Sequence, residues 1–301
     1  MSATIEVKNL TKRFGSFVAV DDVTFSVYPG RVTGFLGPNG AGKSTTLRCL
    51  TGLITQTSGE ALITSVPYCE LPAPLSIVGT ALETTGFHPG RSGFDNVWTM
   101  AVAAGYEKSS VERVLKQVGM FDFAEKRVET YSLGMKQRLS LASALLGNPD
   151  ILILDEPANG LDPEGIAWLR GFLRHHAEEG GTVLLSSHVL SEVQQTVDDV
   201  IIISKGQLKK QCPLEALVSN TATLVTIGSP EIERLLSLIK EDPQFQKCKV
   251  TKINSNFLQV EGVLAKQIGA FAFVHNIEIH ELSEARIDLE QVFLSLTGGA
   301  S

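Results

Sequence analysis

Hydrophobic residues in the first thirty positions recur at every second place: Ile5 with Val7, then Val23 with Phe25 and Val27, with Gly15-Ser16 and Pro29-Gly30 as turns. A period of two marks strands with one buried face, so sheet structure is expected to lead the chain. Val32-Thr33-Gly34-Phe35-Leu36 is then a short apolar strand, and Ser44 to Leu50 reads as a helix. From about Phe94 the period lengthens. Ser109 followed by Glu112 predicts a capping box, with Val111, Val114, Leu115 and Val118 on one apolar face. A further helix is expected from about Gly134 to Leu146, stopped by Gly147-Asn148-Pro149, and the strand Ile151 to Leu154 follows at once. Asp162-Pro163 opens a helix closed by Gly180-Gly181, and the strands Thr182 to Leu185 and Val200 to Ile203 flank a short helix from about Val189. Strands that are apolar throughout and alternate with helices predict a mostly parallel α/β sheet covered on both faces.

Beyond about Lys210 the pattern changes. Thr223 to Ile227, Val250 to Ile253, Phe257 to Val260 and Ile277 to Leu282 read as strands, with helices over 230–239 and 263–274. The order β-α-β-β-α-β predicts a small split α+β module. The chain is therefore expected to divide into residues 1–210 and 211–301, and no chemistry-bearing constellation falls in the second part.

Composition narrows the field. At 301 residues and 43% hydrophobic content there is room for one large domain and a smaller one. A net charge of −7 argues against nucleic acid as a partner. The longest apolar runs, such as Ile151-Leu152-Ile153-Leu154, are far below the ~20 residues a membrane helix requires, so no span is expected. Charged Glu6, Lys8, Lys12 and Arg13 break any signal-peptide pattern. Cys49, Cys69, Cys212 and Cys248 lack paired spacing, which predicts neither a disulfide framework nor a zinc site and fits a reducing cytosol.

The chemistry is concentrated in four places. Gly37-Pro38-Asn39-Gly40-Ala41-Gly42-Lys43-Ser44-Thr45 meets the spacing of a phosphate-binding loop, between a predicted strand and a predicted helix. Its glycines let successive N–H groups turn toward an anion, Lys43 supplies a compact cation, and the Ser44 hydroxyl can ligate Mg2+. A nucleoside triphosphate is the implied ligand. Ile151 to Leu154 delivers Asp155 at the carboxyl edge of a strand, where it can hold the metal through water, and Glu156 is placed to orient or deprotonate an attacking water. Ser132 can cap the helix after Tyr131, presenting a second positive helix terminus that makes sense for a nucleotide held by another subunit. His188 follows Val183-Leu184-Leu185 at the same sheet edge and suits a polar contact to a γ-phosphate.

This ordered set resembles the ATP-binding subunits of ABC transporters over about residues 4–220. Gly37 to Thr45 is similar to the Walker A motif, Tyr131 to Met135 to the signature motif, and Ile151 to Glu156 to Walker B with its catalytic glutamate. Asn159 to Asp162 resembles the D-loop, His188 the switch histidine, and Phe14 the aromatic that stacks on adenine, with Val20 beside it. The resemblance implies a P-loop NTPase with an N-terminal antiparallel β subdomain and a helical subdomain over about 88–147, using ATP and Mg2+ as cofactors. It also implies a second ATP-binding subunit, identical or related, whose signature residues Ser132 and Gly134 complete each site, and separate transmembrane permease subunits that hold the chain peripherally on the cytoplasmic face of the membrane.

Departures from the pattern refine this. Leu133 and Met135 interrupt the usual Leu-Ser-Gly-Gly-Gln, and Glu83 stands where the family's Q-loop glutamine, a sensor of Mg2+, is expected. Glu83 followed by Phe-x-Pro, and the ending Asp288 to Gly298, are similar to the bacitracin-, lantibiotic- and drug-export branch. The implied function is an ATPase powering an exporter of an antimicrobial peptide, drug or lipid-like compound. An importer ATPase and a soluble non-transport ABC ATPase are the alternatives. A full Leu-Ser-Gly-Gly-Gln and a glutamine at 83 would favour the former, a coiled coil or second motif set the latter.

Overall fold

The computed structural model describes residues 4–82, 86–189, 194–219, 223–246 and 248–286, together with Phe293, Leu296 and Thr297. Alternation builds the first sheet: β1 (Ile5–Phe14) and β2 (Phe17–Val27) form a hairpin, and β4 (Ser58–Ile63) pairs antiparallel on the other side of β1. Ile5, Val7, Val23, Phe25 and Val27 all face inward.

The second sheet has six strands in the order β5-β6-β7-β3-β8-β9. β3 (Arg31–Leu36), β5 (Val78–Ala81), β6 (Ile151–Leu154), β7 (Thr182–Ser187) and β8 (Asp199–Ser204) run parallel, and β9 (Gln207–Pro213) closes the edge antiparallel to β8. Every residue of β6 and β7 is buried, as strands covered on both faces require. Phe25 and Phe35 meet with ring centroids 5.3 Å apart in the core that joins the two sheets.

Helices α1 (Lys43–Leu50), α2 (Pro74–Ile77), α3 (Gly93–Ala103), α4 (Lys108–Gln117), α5 (Leu133–Ala144) and α6 (Pro163–Glu178) complete this part. The capping box expected at Ser109 does not form. α4 starts after Glu107, so Ser109 lies inside the first turn and its hydroxyl meets the Glu107 carboxylate at 3.4 Å. The apolar face of α4 is as expected, with Val111, Val114 and Leu115 buried.

The chain separates into two compact units, Met1–Leu214 with Leu296–Ser301, and Glu215–Ser295. Position 210 falls inside β9, whose pairing with β8 keeps it in the first unit. In the second unit α7 (Leu214–Ser219) leads to β10 (Thr223–Gly228), α8 (Ile232–Glu241), β11 (Lys249–Lys252), β12 (Phe257–Glu261), α9 (Ala265–Val274) and β13 (Glu281–Arg286). The antiparallel order β11-β12-β10-β13 is that of a split β-α-β-β-α-β module. Its last strand begins at Glu281 rather than Ile277. Ile277 is buried beneath the turn after α9, so its apolar character serves the core from outside the ladder. Residues 190–193, where a short helix is expected to begin, and the ending 288–298 apart from Phe293, Leu296 and Thr297 lie outside the described residues.

Candidate functional site

Strand order assembles the site. β6, β7 and β3 are neighbours, so the segments leaving their carboxyl ends emerge side by side: Asp155-Glu156 after β6, Ser187-His188 around the end of β7, and Gly37 to Lys43 after β3. None of these adjacencies is local in sequence.

The Gly37–Thr45 loop closes tightly under its own constraints. A Cβ on Gly37 would lie 2.5 Å from the Ile203 carbonyl oxygen, and one on Gly42 would lie 2.5 Å from that of Ala19. Gly42 also takes φ +102° as it starts α1, and Gly40 takes φ +77° with open space where a Cβ would sit. No side chain caps α1. Its first N–H groups have no partner within the helix, and they carry its positive dipole end. Pro38 and Asn39 are exposed at the loop tip and Ala41 is buried beneath it. Ser44 and Thr45, half-buried, lie in the first turn of the helix.

Lys43 is only 6% exposed, and its Nζ donates to the Gly37 carbonyl at 2.7 Å and reaches Glu156 Oε1 at 3.4 Å. The other oxygen of Glu156, Oε2, lies 2.9 Å from His188 Nδ1. A carboxylate only accepts, so the ring donates from Nδ1. Cation, carboxylate and imidazole thus form one connected line.

Glu156 itself is held in a left-handed conformation at φ +50°, unusual for a residue with a side chain. Both of its backbone groups are bound by side chains. Its N–H donates to Ser186 Oγ at 2.9 Å, and its carbonyl accepts from Gln137 Nε2 at 3.1 Å. Ser186, fully buried, in turn donates its hydroxyl proton to Asp155 Oδ1. Ser186 and Gln137 were not assigned roles by sequence reasoning. Ser186 is the first hydroxyl after the apolar run Val183-Leu184-Leu185 and sits two residues before His188, which is the one signal that marks it.

Other predicted residues stand apart from this line. Phe14, 47% exposed at the β1–β2 turn, has Lys12 Nζ 4.8 Å from its ring centroid, and Val20 is buried against the loop, 3.4 Å from the position of a Gly42 Cβ. Ser132 caps α5 by accepting from the Met135 N–H at 3.2 Å, and Tyr131 before it is pinned by a bond from its hydroxyl to the Phe123 carbonyl at 2.7 Å. Burial pushes the Tyr131 phenol up. Among the described residues, neither Ser132 nor Gly134 bonds to the Gly37–Thr45 loop. Asp162 accepts from the Gly165 N–H at 2.8 Å and caps α6. Glu83 lies outside the described residues. Among them, no helix is long and apolar enough to cross a membrane.

Ser44 and Asp155 supply a hydroxyl and a carboxylate, hard oxygen donors of the kind Mg2+ selects. Comparison with known proteins bears on the family and its nucleotide. A family model described as "ABC transporter" matches residues 20–159. The chain is 36% identical over 310 residues to the bacitracin transport ATP-binding protein BcrA of Bacillus licheniformis, covering 100% of this chain and 99% of that one. It is 36% identical over 204 residues to the lantibiotic transport ATP-binding protein SrtF of Streptococcus pyogenes, covering 68% and 88%. A solved ATP-binding subunit of an ABC transporter superposes with a TM-score of 0.65 at 27% identity, over 72% of this chain and 92% of that one.

Proposed function

This chain belongs to the ABC transporters as an ATP-binding, ATP-hydrolysing subunit, and from that premise we propose that it energises export of an antimicrobial peptide, drug or lipid-like compound through separate membrane subunits. The single observation that carries the hydrolytic part is the Lys43–Glu156–His188 line at the edge of β6, β7 and β3. The relatives named for bacitracin and lantibiotic transport support the class of cargo.

In this reading the N-terminus of α1 and the N–H groups of the Gly37–Thr45 loop bind the phosphates, and Phe14 stacks on the adenine ring. Lys43 turns from Gly37 toward the terminal phosphates. Ser44 and Asp155 would hold Mg2+, which when bound offsets charge on the phosphate oxygens. Water attacks the γ-phosphorus as the bond to the ADP oxygen breaks, and Glu156 accepts the proton that the water loses. His188, holding the Glu156 carboxylate from Nδ1, orients it, and a doubly protonated ring also donates from Nε2 to a phosphate oxygen. Ser132 and Gly134 lie on a helix terminus that this chain's own loop does not use, so a second ATP-binding subunit brings its nucleotide there. The chain works on the cytoplasmic side of the membrane, held by the permease subunits.

Glu156→Gln tests the chemistry. It preserves shape and ATP binding while turnover falls by about 100-fold or more, the scale of a lost general base. Turnover near that of the parent would remove Glu156 from this role. For the transport step, cells carrying the chain and its membrane subunits should lose resistance to a lantibiotic when Glu156 is replaced. Loss of solute uptake instead would reverse the direction.

A further inference from the structure

Leu133 occupies a place where the family's signature usually has glycine, and its side chain, 54% exposed, bears on the turn that follows Glu156. The contact is close from both sides. A Cβ added to Gly160 would overlap Leu133 Cγ and Cδ2 and would lie 3.0 Å from its Cβ. A Cβ added to Gly134 would lie 2.9 Å from the Gly160 carbonyl oxygen and 3.5 Å from Leu161 Cδ2. Two glycines are therefore required by one contact, between Leu133-Gly134 on α5 and Gly160-Leu161 on the turn.

Gln137 makes the second attachment. It stands four residues after Leu133, on the same face of α5, is buried, and donates to the Glu156 carbonyl at 3.1 Å. α5 thus grips the turn near its start, at Glu156, and near its end, at Gly160. The start needs holding, because Glu156 keeps a left-handed backbone. The same helix begins at Ser132.

We propose that Leu133 and Gly160 form a steric interlock through which α5 positions the Glu156–Asp162 turn, so that the Ser132 end of α5 and the Glu156 carboxylate shift as one body. Leu133 is a positioning residue in this scheme, acting on Glu156 through the turn. The bulky residue in the signature and the glycine in the following loop are one feature. A nucleotide that a second subunit seats on Ser132 thereby bears on the carboxylate beside Lys43. This last step rests on the functional reading above.

A double-mutant cycle on this chain tests the interlock. Gly160→Ala should lower ATP turnover about tenfold with the Kd for ATP changed less than about twofold, because misplacement of a catalytic group costs rate rather than binding. Leu133→Ala alone loosens the turn and should cost about two- to fourfold in turnover. The double variant should recover part of the loss, toward the level of Leu133→Ala, since the overlapping Cγ and Cδ2 are gone while the Cβ at 3.0 Å stays. Left-handed strain from Gly160→Ala is the same with and without Leu133→Ala, so strain alone gives no recovery. A double variant no better than Gly160→Ala, or a Gly160→Ala chain as active as the parent, overturns the proposal. Should Gly160→Ala fail to fold, recovery of a cooperative melting transition in the double variant supports the interlock, and failure of both overturns it. Glu156→Gln separates the two levels: full turnover there removes the functional reading, whereas its inactivity beside a fully active Gly160→Ala removes only the interlock.

Discussion

Ser186→Ala removes one oxygen from the centre of the site and leaves the residues around it in place. That oxygen accepts from the Glu156 N–H at 2.9 Å and donates to Asp155 Oδ1, from a side chain with no exposed surface. A hydrogen bond to a charged group contributes about 1.5–3 kcal/mol, and a buried donor left unpaired costs about 1–3 kcal/mol. The small cavity bordered by Glu156, Ser186 and Thr196 lets part of that loss relax, which places the net near 2 kcal/mol rather than at the sum. If all of it serves to hold the two carboxylates in position, turnover falls by about 30-fold at 1.36 kcal/mol per decade. The same loss in a unit of this size lowers the melting temperature by roughly 4–8 °C. Binding of ATP should hardly change, because Ser186 bonds to Asp155 and Glu156 and not to the Gly37–Thr45 loop. Steady-state hydrolysis at saturating ATP, nucleotide titration and a thermal melt separate the three quantities. Turnover within about threefold of the parent, alongside the expected drop in melting temperature, would refute a positioning role and leave Ser186 a purely structural bond.

Other expectations follow from single contacts. Lys43→Ala should weaken ATP by about 10- to 100-fold in an equilibrium titration, the worth of one or two charge-assisted bonds to phosphate, and unchanged affinity would remove the phosphate-loop assignment. Gly37→Ala should destabilise by about 1–3 kcal/mol in a denaturant titration, because its Cβ would press to 2.5 Å from the Ile203 carbonyl oxygen with little room to yield. Burial pulls the His176 pKa below its usual 6.5, against a smaller upward pull from the Asp150 carbonyl. The unfolded chain then binds a proton that the fold excludes, so stability is complete above pH about 6.5 and falls as pH drops toward the folded value. Melting temperatures between pH 7.5 and 5.5 should show this slope, and His176→Gln should flatten it.

Local pattern carried much of the fold. Period-two burial in β1 and β2, the continuous apolar run of β6 and the Asp162-Pro163 start of α6 each depend on residues within a few positions, and each stands where it is expected. Errors arose where a local signal had a competitor. Ser109 carries the capping pattern, but the helix starts two residues earlier, after Glu107, and the hydroxyl meets the Glu107 carboxylate instead. Ile277 has the apolar character of a strand residue, and it fills the core from a turn. Ser186 and Gln137 escaped notice because their importance lies in bonds to residues 30 and 19 positions away.

By itself, the sequence determined which residues can do chemistry here: a glycine-rich loop with Lys43 and Ser44, the carboxylates Asp155 and Glu156, His188, and the helix end at Ser132. These are matters of residue type and short spacing, and a local motif is sufficient to state them. Tertiary structure alone decided which of them meet. The order β6-β7-β3 joins strand ends more than 100 residues apart in the chain, between Lys43 and Glu156, and sets Lys43 3.4 Å from Glu156 and His188 2.9 Å from it. Strand order follows from long-range pairing and burial of whole faces, which no window of sequence contains. The left-handed turn at Glu156 is of the same kind: Ser186 and Gln137, from a neighbouring strand and from α5, hold a backbone conformation that the glutamate's own sequence disfavours.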